Sequence, residues 1–224
     1  MKKMSTKEKI FNVSIDLFSK KGYNQVSTRE IAREVGIKES SIYYHYSKKE
    51  DILDSIFDYF IERMNQAESS EEDMDKLLEI SPNELYHFGS EAIKYQFSSF
   101  KMIKILRLIF IEVYHNAKIR KFFIEELLNG PIEFWTVFFQ NFMDRKIIKK
   151  GNPRKLAENY FGYGIFKMFE LVVLNFPKDN EDIDLNLIFD DIENHFNFII
   201  DAVSISDENI GKNKKNYIRG CMDV

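Results

Sequence analysis

The chain has 224 residues, of which 44% are hydrophobic, and it carries a formal net charge of −4 and one cysteine, Cys221. This composition supports a sizeable core, and a single cysteine excludes a disulfide or a cysteine-based metal cluster within one chain. We therefore expect a protein of the reducing cytoplasm with no cofactor and no bound metal. The chain opens without an apolar signal region and has no apolar run of membrane-spanning length, so we expect no membrane partner.

Charge is unevenly distributed along the chain. Residues 1–50 hold 11 Lys and Arg against 6 Asp and Glu, whereas the remainder holds 21 against 30. A basic head on an acidic body suggests that only the head meets a polyanion such as a nucleic acid. The alternative is that an excess of five positive charges over fifty residues is ordinary scatter.

Helix signals recur from the first residues onward. Four Ser-x-x-Glu capping boxes precede apolar-periodic runs, at Ser5/Glu8, Ser27/Glu30, Ser47/Glu50 and Ser81/Glu84. Glycines at 22 and 36 are placed to end a helix and to allow a tight turn. The predicted helices of this part are Thr6–Lys21, Thr28–Val35, Glu39–His45 and Lys48 to about Gln66.

The rest of the chain is also predicted to be helical. The segment 68–75 is acidic and predicts a solvated connection, and Ser81-Pro82 starts a new helix. Residues 83–150 predict three helices with a break at Gly130-Pro131, and two long amphipathic helices follow at about 154–175 and 185–203. From residue 206 the chain is polar and unpatterned, which indicates a flexible tail. We therefore predict an all-α protein with a head over 1–50, a larger body over 51–205 and a tail over 206–224.

The segment 27–53 has the pattern of a helix-turn-helix. Two short helices flank Gly36, and their apolar residues would pack them together, namely Ile31, Ala32, Val35, Ile37 and Ile42. The outer surface is polar and aromatic, with Lys38, Ser40, Ser41, Tyr43, Tyr44, His45 and Lys49. A short helix held across another, with hydroxyls and cations on its outer face, suits a DNA major groove.

This pattern resembles the tetracycline-repressor (TetR) family of bacterial transcription regulators over about a quarter of the chain. The matching positions are Ile10, Leu17, Phe18, Gly22, Tyr23, Ser27, Thr28, Ile31, Ala32, Val35, Gly36, Ile42, Tyr43, His45, Lys49 and Leu53. Three positions depart from the family pattern. Ser14 stands where Ala is usual, Tyr46 where Phe is usual, and Lys38 where Ser or Thr commonly caps the recognition helix.

The resemblance implies an amino-terminal three-helix DNA-binding head, joined by a long helix to a helical effector and dimerisation domain. Phosphate contacts would then fall to Lys49, at the start of the fourth helix, and to Tyr44 and His45. Thr28 and Arg29 open the second helix and could hold neighbouring phosphates. Base edges would be read by Lys38, Ser40 and Ser41, with Tyr43 as a further candidate. Glu39 could accept from cytosine or merely favour the helix amino terminus.

The resemblance also implies a dimer on a near-palindromic operator and a small-molecule effector, acting most often in repression. The last two helices are the predicted dimer seam, with Phe161, Ile165, Phe169 and Val172 on one face and Leu187, Phe196, Ile199, Ile200 and Val203 on the other. The alternative is that these apolar stripes simply close the core of one subunit. Nineteen of the 21 Phe lie in the body, which suits an apolar effector cavity or simply a filled core. Polar groups that would orient an effector are Tyr95, Arg107, His115 and Tyr163.

Three other classes of function differ in how well the sequence fits them. No histidine pair has metal-ligand spacing, and no phosphate loop or nucleophile motif is present, so we do not expect an enzyme. A DNA-binding regulator controlled by a partner protein, with no small molecule, remains open. Nonspecific DNA compaction is disfavoured by the acidic body.

Overall fold

The computed structural model describes residues 4–65, 76–176 and 184–205. The four helices that open the chain have nearly the bounds that the sequence predicts. They are α1 (Thr6–Lys21), α2 (Thr28–Val35), α3 (Glu39–His45) and α4 (Lys49–Asn65). The predicted acidic connection and carboxy-terminal tail lie outside the described residues, as does the predicted end of α4 at Gln66.

The body contains six further named helices. They are α5 (Pro82–Phe97), α6 (Phe100–Glu112), α7 (Ala117–Phe122), α8 (Gly130–Asp144), α9 (Pro153–Phe169) and α10 (Leu185–Val203). Two π-helical segments, Phe123–Asn129 and Glu170–Leu174, extend α7 and α9. In the described part of the chain the β-structure is one antiparallel bridge between Ile148 and Ser204. No helix within that part is both long and apolar enough to cross a bilayer.

The predicted helix break at Gly130-Pro131 is wrong. Gly130 has φ −55° and ψ −57°, and its amide donates to the carbonyl of Glu125, five residues earlier. Proline lacks an amide hydrogen and its ring crowds the preceding turn of an ordinary α-helix. The wider π-helical turn absorbs Pro131, so that α7 and α8 form one continuous helical rod.

The four predicted capping boxes form to different extents. Those at Ser5 and Ser81 are complete. Ser27 accepts from the Glu30 amide, but the Glu30 carboxylate turns to Lys21 at 2.6 Å. At the start of α4 the box shifts by one residue, because Asp51 and not Glu50 accepts, at 3.2 Å, from the amide of Lys48.

Two hydrophobic clusters form the interior of the described chain. The first joins the head helices to α4, α6 and α7, and the π segment contributes Val172. The second holds the carboxy-terminal body together and is dominated by aromatic rings, among them Trp135, Phe139, Tyr160 and Phe196. The head therefore shares its core with part of the body, and a domain boundary at residue 50 stays a prediction.

Helix α6 fixes the head on the body. Lys104 pairs with Asp16, and the Nε of Arg107 donates at 2.9 Å to the carbonyl of Ser19. Glu112 follows along α6 and accepts from the amide of Tyr23. Because these partners occur in the same order along both segments, α1 and α6 run parallel.

The apolar faces of α9 and α10 differ in part from those predicted for a dimer seam. Val172, Phe196, Ile199 and Ile200 are buried inside the subunit, because they pack into the two clusters. The predicted seam residue Leu187 is exposed on α10, and other large apolar side chains are exposed on α8, α9 and α10, namely Phe134, Val137, Phe166 and Phe198. These side chains, not the buried ones, are available to a second subunit.

Candidate nucleic-acid interface

The turn between α2 and α3 has the geometry that a helix-turn-helix requires. Gly36 has φ 77° and ψ 37°, the left-handed conformation that glycine adopts without steric cost. Its amide donates back to the end of α2, and the next amide, that of Ile37, donates at 3.0 Å to the carbonyl of Ala32. Ile31, Ala32 and Ile42 are buried beneath the turn, as predicted, and fix the angle between the two helices.

The outer face of α3 presents the predicted polar and aromatic side chains. Lys38, Ser40, Tyr43 and Tyr44 are exposed, Tyr44 by 86% of its surface, while Ser41 and His45 are half-buried. Lys38 is the N-cap residue of α3 and makes no side-chain capping bond, so its ammonium is free to extend toward a ligand. Arg29 is exposed at the start of α2 and lines one surface cleft together with Glu39 of α3.

Two hydroxyls of this surface are held by a carboxylate. The hydroxyl of Thr28 donates to Glu39 at 2.8 Å and lies 3.2 Å from the hydroxyl of Tyr43. Because the Thr28 proton is used by Glu39, the Tyr43 hydroxyl is the donor to Thr28. Neither hydroxyl can donate to a phosphate without breaking one of these two hydrogen bonds. The second carboxylate oxygen of Glu39 remains available as an acceptor.

Lys49 occupies a position that the sequence did not predict. Its ammonium donates at 2.9 Å to the carbonyls of both Tyr23 and Val26 and lies 4.1 Å from the centroid of the Tyr23 ring. Burial lowers the pKa of Lys49, and the nearby Glu112 opposes that shift. The side chain thus points into the loop between α1 and α2, and its phosphate contact stays a prediction that this geometry does not favour.

The four predicted effector residues do not contact one another in the described part of the chain, and their role stays a prediction. Arg107 is committed to the carbonyls of Ser19 and Val172 and lies 4.3 Å from the Phe176 ring. Tyr163 stacks on His195 with ring centroids 4.2 Å apart. Tyr95 and His115 are exposed, on α5 and after α6. In the described part of the chain no hydrogen bond, ion pair or ring contact joins any two of the four.

Glu112 was not among the residues predicted from the sequence. This carboxylate is 6% exposed at the end of α6, and its Oε1 accepts at 2.9 Å from the amide of Tyr23 in the head. A signal was present, because Glu112 is an acid that ends the strongly apolar run of residues 102–111. Buried carboxylates are costly unless they are bonded, which makes such a residue a candidate for a specific role.

Comparisons with known proteins agree with this geometry. Residues 10–56 match the model of the family described as bacterial regulatory proteins, tetR family. A 60-residue stretch is 43% identical to the biofilm operon icaADBC negative transcriptional regulator IcaR of Staphylococcus epidermidis. That stretch covers 25% of this chain and 32% of IcaR, so the likeness spans about a third of the relative's length.

Solved structures extend the likeness of fold to the body. A TetR family transcriptional regulator from Pseudomonas syringae superposes with a TM-score of 0.60 at 14% identity, covering 91% of this chain and 99% of the other. AibR, solved in complex with isovaleryl coenzyme A and operator DNA, superposes with a TM-score of 0.59 at 16% identity, covering 84% and 96%. The all-α architecture, with a helix-turn-helix head on a helical body, is therefore shared with these regulators.

Proposed function

We propose that the chain, whose residues 10–56 match the tetracycline-repressor family of bacterial regulators, represses transcription by binding a near-palindromic operator as a dimer. The observation that carries the proposal is the exposed face of α3, presented beside Arg29 within the matched segment. The description of IcaR as a negative regulator supports the repressive sense. We also propose that the protein acts in the cytoplasm, where its DNA target would lie.

The solvent exposure of the side chains supports separate roles for them in contacting phosphates and in reading bases. Arg29, Tyr44 and His45 contact phosphates and fix the register of the head, while Lys38, Ser40 and Ser41 read base edges. Glu39 can accept from the amino group of cytosine, because Thr28 holds its carboxylate beside the groove. Thr28 and Tyr43 support this surface through their own bond and are not primary donors to phosphate.

The experiment that tests the proposal is in vitro selection of bound duplexes from a random pool. We expect an enriched near-palindrome whose half-sites are spaced by about one helical turn or a multiple of it. Binding to the selected duplex should weaken steeply with salt, since phosphate contacts release counterions. Equal affinity for selected and random duplexes at physiological salt would refute operator recognition and favour compaction.

Lys38→Ala gives the first specific prediction. If Lys38 reads a base, its loss should relax sequence preference at one position in each half-site, by about 5-fold to 150-fold, as expected for a lost side-chain contact to a base. Repeating the selection with the variant measures this. Lys146→Ala, an exposed lysine of the body, is the matched control and should return the original operator. A Lys38 variant with unchanged base preference would assign Lys38 to the phosphate backbone.

Dimerisation is proposed through the exposed apolar side chains of α8, α9 and α10. Leu187 is 68% exposed on α10 and Phe166 is 51% exposed on α9, although both side chains are large and apolar. Helices α9 and α10 of each subunit would form a four-helix seam, with the exposed side chains of α8 at its edge, and this dimer would place two heads on one operator. A single head offers few contacts, so simultaneous engagement of two raises affinity by orders of magnitude.

The double variant Phe166→Glu/Leu187→Glu should therefore be monomeric, because buried carboxylates would face each other across the seam. Light scattering should report half the mass of the wild type, and operator affinity should fall by about 100-fold or more. Tyr95→Glu, which changes an equally exposed aromatic residue on α5, should leave both unchanged. A double variant that stays dimeric would place the interface elsewhere.

Control by a small apolar or aromatic effector is proposed for the body. The support is the shared fold with AibR, which was solved with both an acyl coenzyme A and operator DNA. A ligand that prefers a body conformation with poorly spaced heads would lower the affinity for DNA by shifting the population. The second candidate is control by a partner protein. A panel of apolar ligands separates the two, because a saturable thermal shift occurs only if one binds the folded body.

A further inference from the structure

Glu112 is a body residue that bonds to the backbone of the head. Its Oε1 accepts from the Tyr23 amide at 2.9 Å, and its Oε2 is buried without a hydrogen-bond partner in the described residues. A carboxylate in this setting is costly to bury, so it requires a compensating charge or donor nearby. The Tyr23 amide is one such donor, and it is the point where α1 has ended and the loop to α2 begins.

The head is shaped to admit this carboxylate. Gly22 has φ 85° and ψ 154°, and a Cβ built there would lie 2.4 Å from Glu112 Oε1. Only glycine combines that backbone conformation with that closeness of approach. The backbone at the end of α1 therefore has a conformation that allows the Glu112 carboxylate to approach it closely.

Lys49 holds the same loop from the other side. Its ammonium bonds the carbonyls of Tyr23 and Val26 and lies over the Tyr23 ring, which in turn packs edge-on against Phe18 at 5.2 Å. Two of its three donors are thus used inside the protein. The ammonium and the Glu112 carboxylate attract each other across the loop, so each offsets part of the cost of burying the other.

We infer that Glu112 and Lys49 form a clamp on the loop 22–26, and that this clamp positions the recognition helix relative to the body. The loop ends at Val26, and Ser27 caps α2 directly after it, so the loop sets where α2 and α3 begin. Lys49 is then a positioning residue and not a phosphate ligand. The inference rests on the proposed function for its link to DNA, but its structural part stands without it.

The first test separates positioning from phosphate contact. Lys49→Met keeps the aliphatic stem and removes the ammonium, and Arg29→Met does the same for an exposed cation at the start of α2. We expect Lys49→Met to lower operator affinity by about tenfold at every salt concentration, as for a lost bond to a charged group. Its salt slope should equal that of the wild type. Arg29→Met should reduce the magnitude of the slope by about 2, because each subunit of the dimer loses one phosphate contact worth about 0.9.

The second test needs no DNA. Amide hydrogen exchange in the intact protein should show Tyr23 exchanging about tenfold faster in Glu112→Ala, since its one acceptor is removed. Glu112→Gln keeps an acceptor oxygen and should restore most of the protection. Glu91→Ala, on an exposed carboxylate of α5, is the control and should leave Tyr23 unchanged. Lys49→Met should speed exchange over 22–26 as well.

The outcomes distinguish the inference from the proposed function. If the wild type shows no salt-sensitive binding to any duplex, the proposed function fails, while exchange still tests the clamp. If Lys49→Met reduces the salt slope as Arg29→Met does and leaves exchange unchanged, Lys49 is a phosphate ligand and the clamp is refuted. Unchanged Tyr23 exchange in Glu112→Ala would also refute it.

Discussion

Gly22→Ala is expected to destabilise the protein more than any other single methyl addition on the head. The backbone at Gly22 lies in a region that only glycine occupies readily, and the new Cβ would lie 2.4 Å from Glu112 Oε1. Backbone strain alone costs about 1–3 kcal/mol, and the displaced carboxylate adds the loss of its bond to Tyr23, for a total of about 3–5 kcal/mol. Urea unfolding followed by circular dichroism measures this loss, and operator affinity should fall with it.

Gly36→Ala is the matched control for that loss. Gly36 also has positive φ, at 77°, but an added Cβ meets nothing within 4 Å. Its cost should be about 1 kcal/mol, from the left-handed conformation alone. The double variant Gly22→Ala/Glu112→Ala removes the clash but not the dihedral strain, so it should recover only part of the stability. Equal losses of stability for Gly22→Ala and Gly36→Ala would mean that the Glu112 side chain moves away from the new Cβ at no cost in free energy.

Prediction from sequence succeeded where the determining signals are local. The bounds of α1 and α2 follow from serine caps and glycines at their ends, and Gly36 adopts the predicted left-handed turn. The same rules failed at Gly130-Pro131, because a Gly-Pro pair marks a stop only if the helix stays α-helical. A π-helical turn makes room for the ring of Pro131, and no local sequence pattern predicts such a turn.

In the candidate site as well, features set by neighbouring residues could be predicted, whereas contacts between distant residues could not. Exposure of Lys38, Ser40 and Tyr44 follows from the period of a short helix over a buried Ile42. The partners of Lys49 lie 23 and 26 residues away, and Glu112 is 89 residues from Tyr23. Such contacts depend on how α1, α4 and α6 pack, which periodicity does not encode.

Periodicity also left the dimer face undecided. Helix α10 is apolar on more than one side, and sequence alone did not tell which side faces its own subunit. Phe196 lies in the interior and Phe198, two residues later, is exposed. Their opposite environments are set by α5, α8 and α9, which enclose the first and leave the second outside.

Phe196→Ala is expected to give the largest loss of stability in the body. The ring is fully buried, with centroids 5.1 Å from Tyr160, 5.3 Å from Tyr86 and 5.6 Å from Trp135. Removing it leaves a cavity lined by three aromatic rings that rigid helices cannot close, at a cost of about 3–5 kcal/mol. Phe88→Ala, at an exposed ring of α5, is the control and should cost less than about 1 kcal/mol.

Trp135, the one tryptophan of the chain, makes that experiment informative about cooperativity. Its fluorescence reports the carboxy-terminal cluster, whereas circular dichroism reports every helix. If the two hydrophobic clusters unfold together, both probes should shift to the same lower midpoint in Phe196→Ala. If the clusters are independent, tryptophan emission should change first and the head should keep its helices. The second outcome would mean that α6, despite its contacts with α1, does not transmit loss of body structure to the head, and would weaken the case for control of DNA binding from the body.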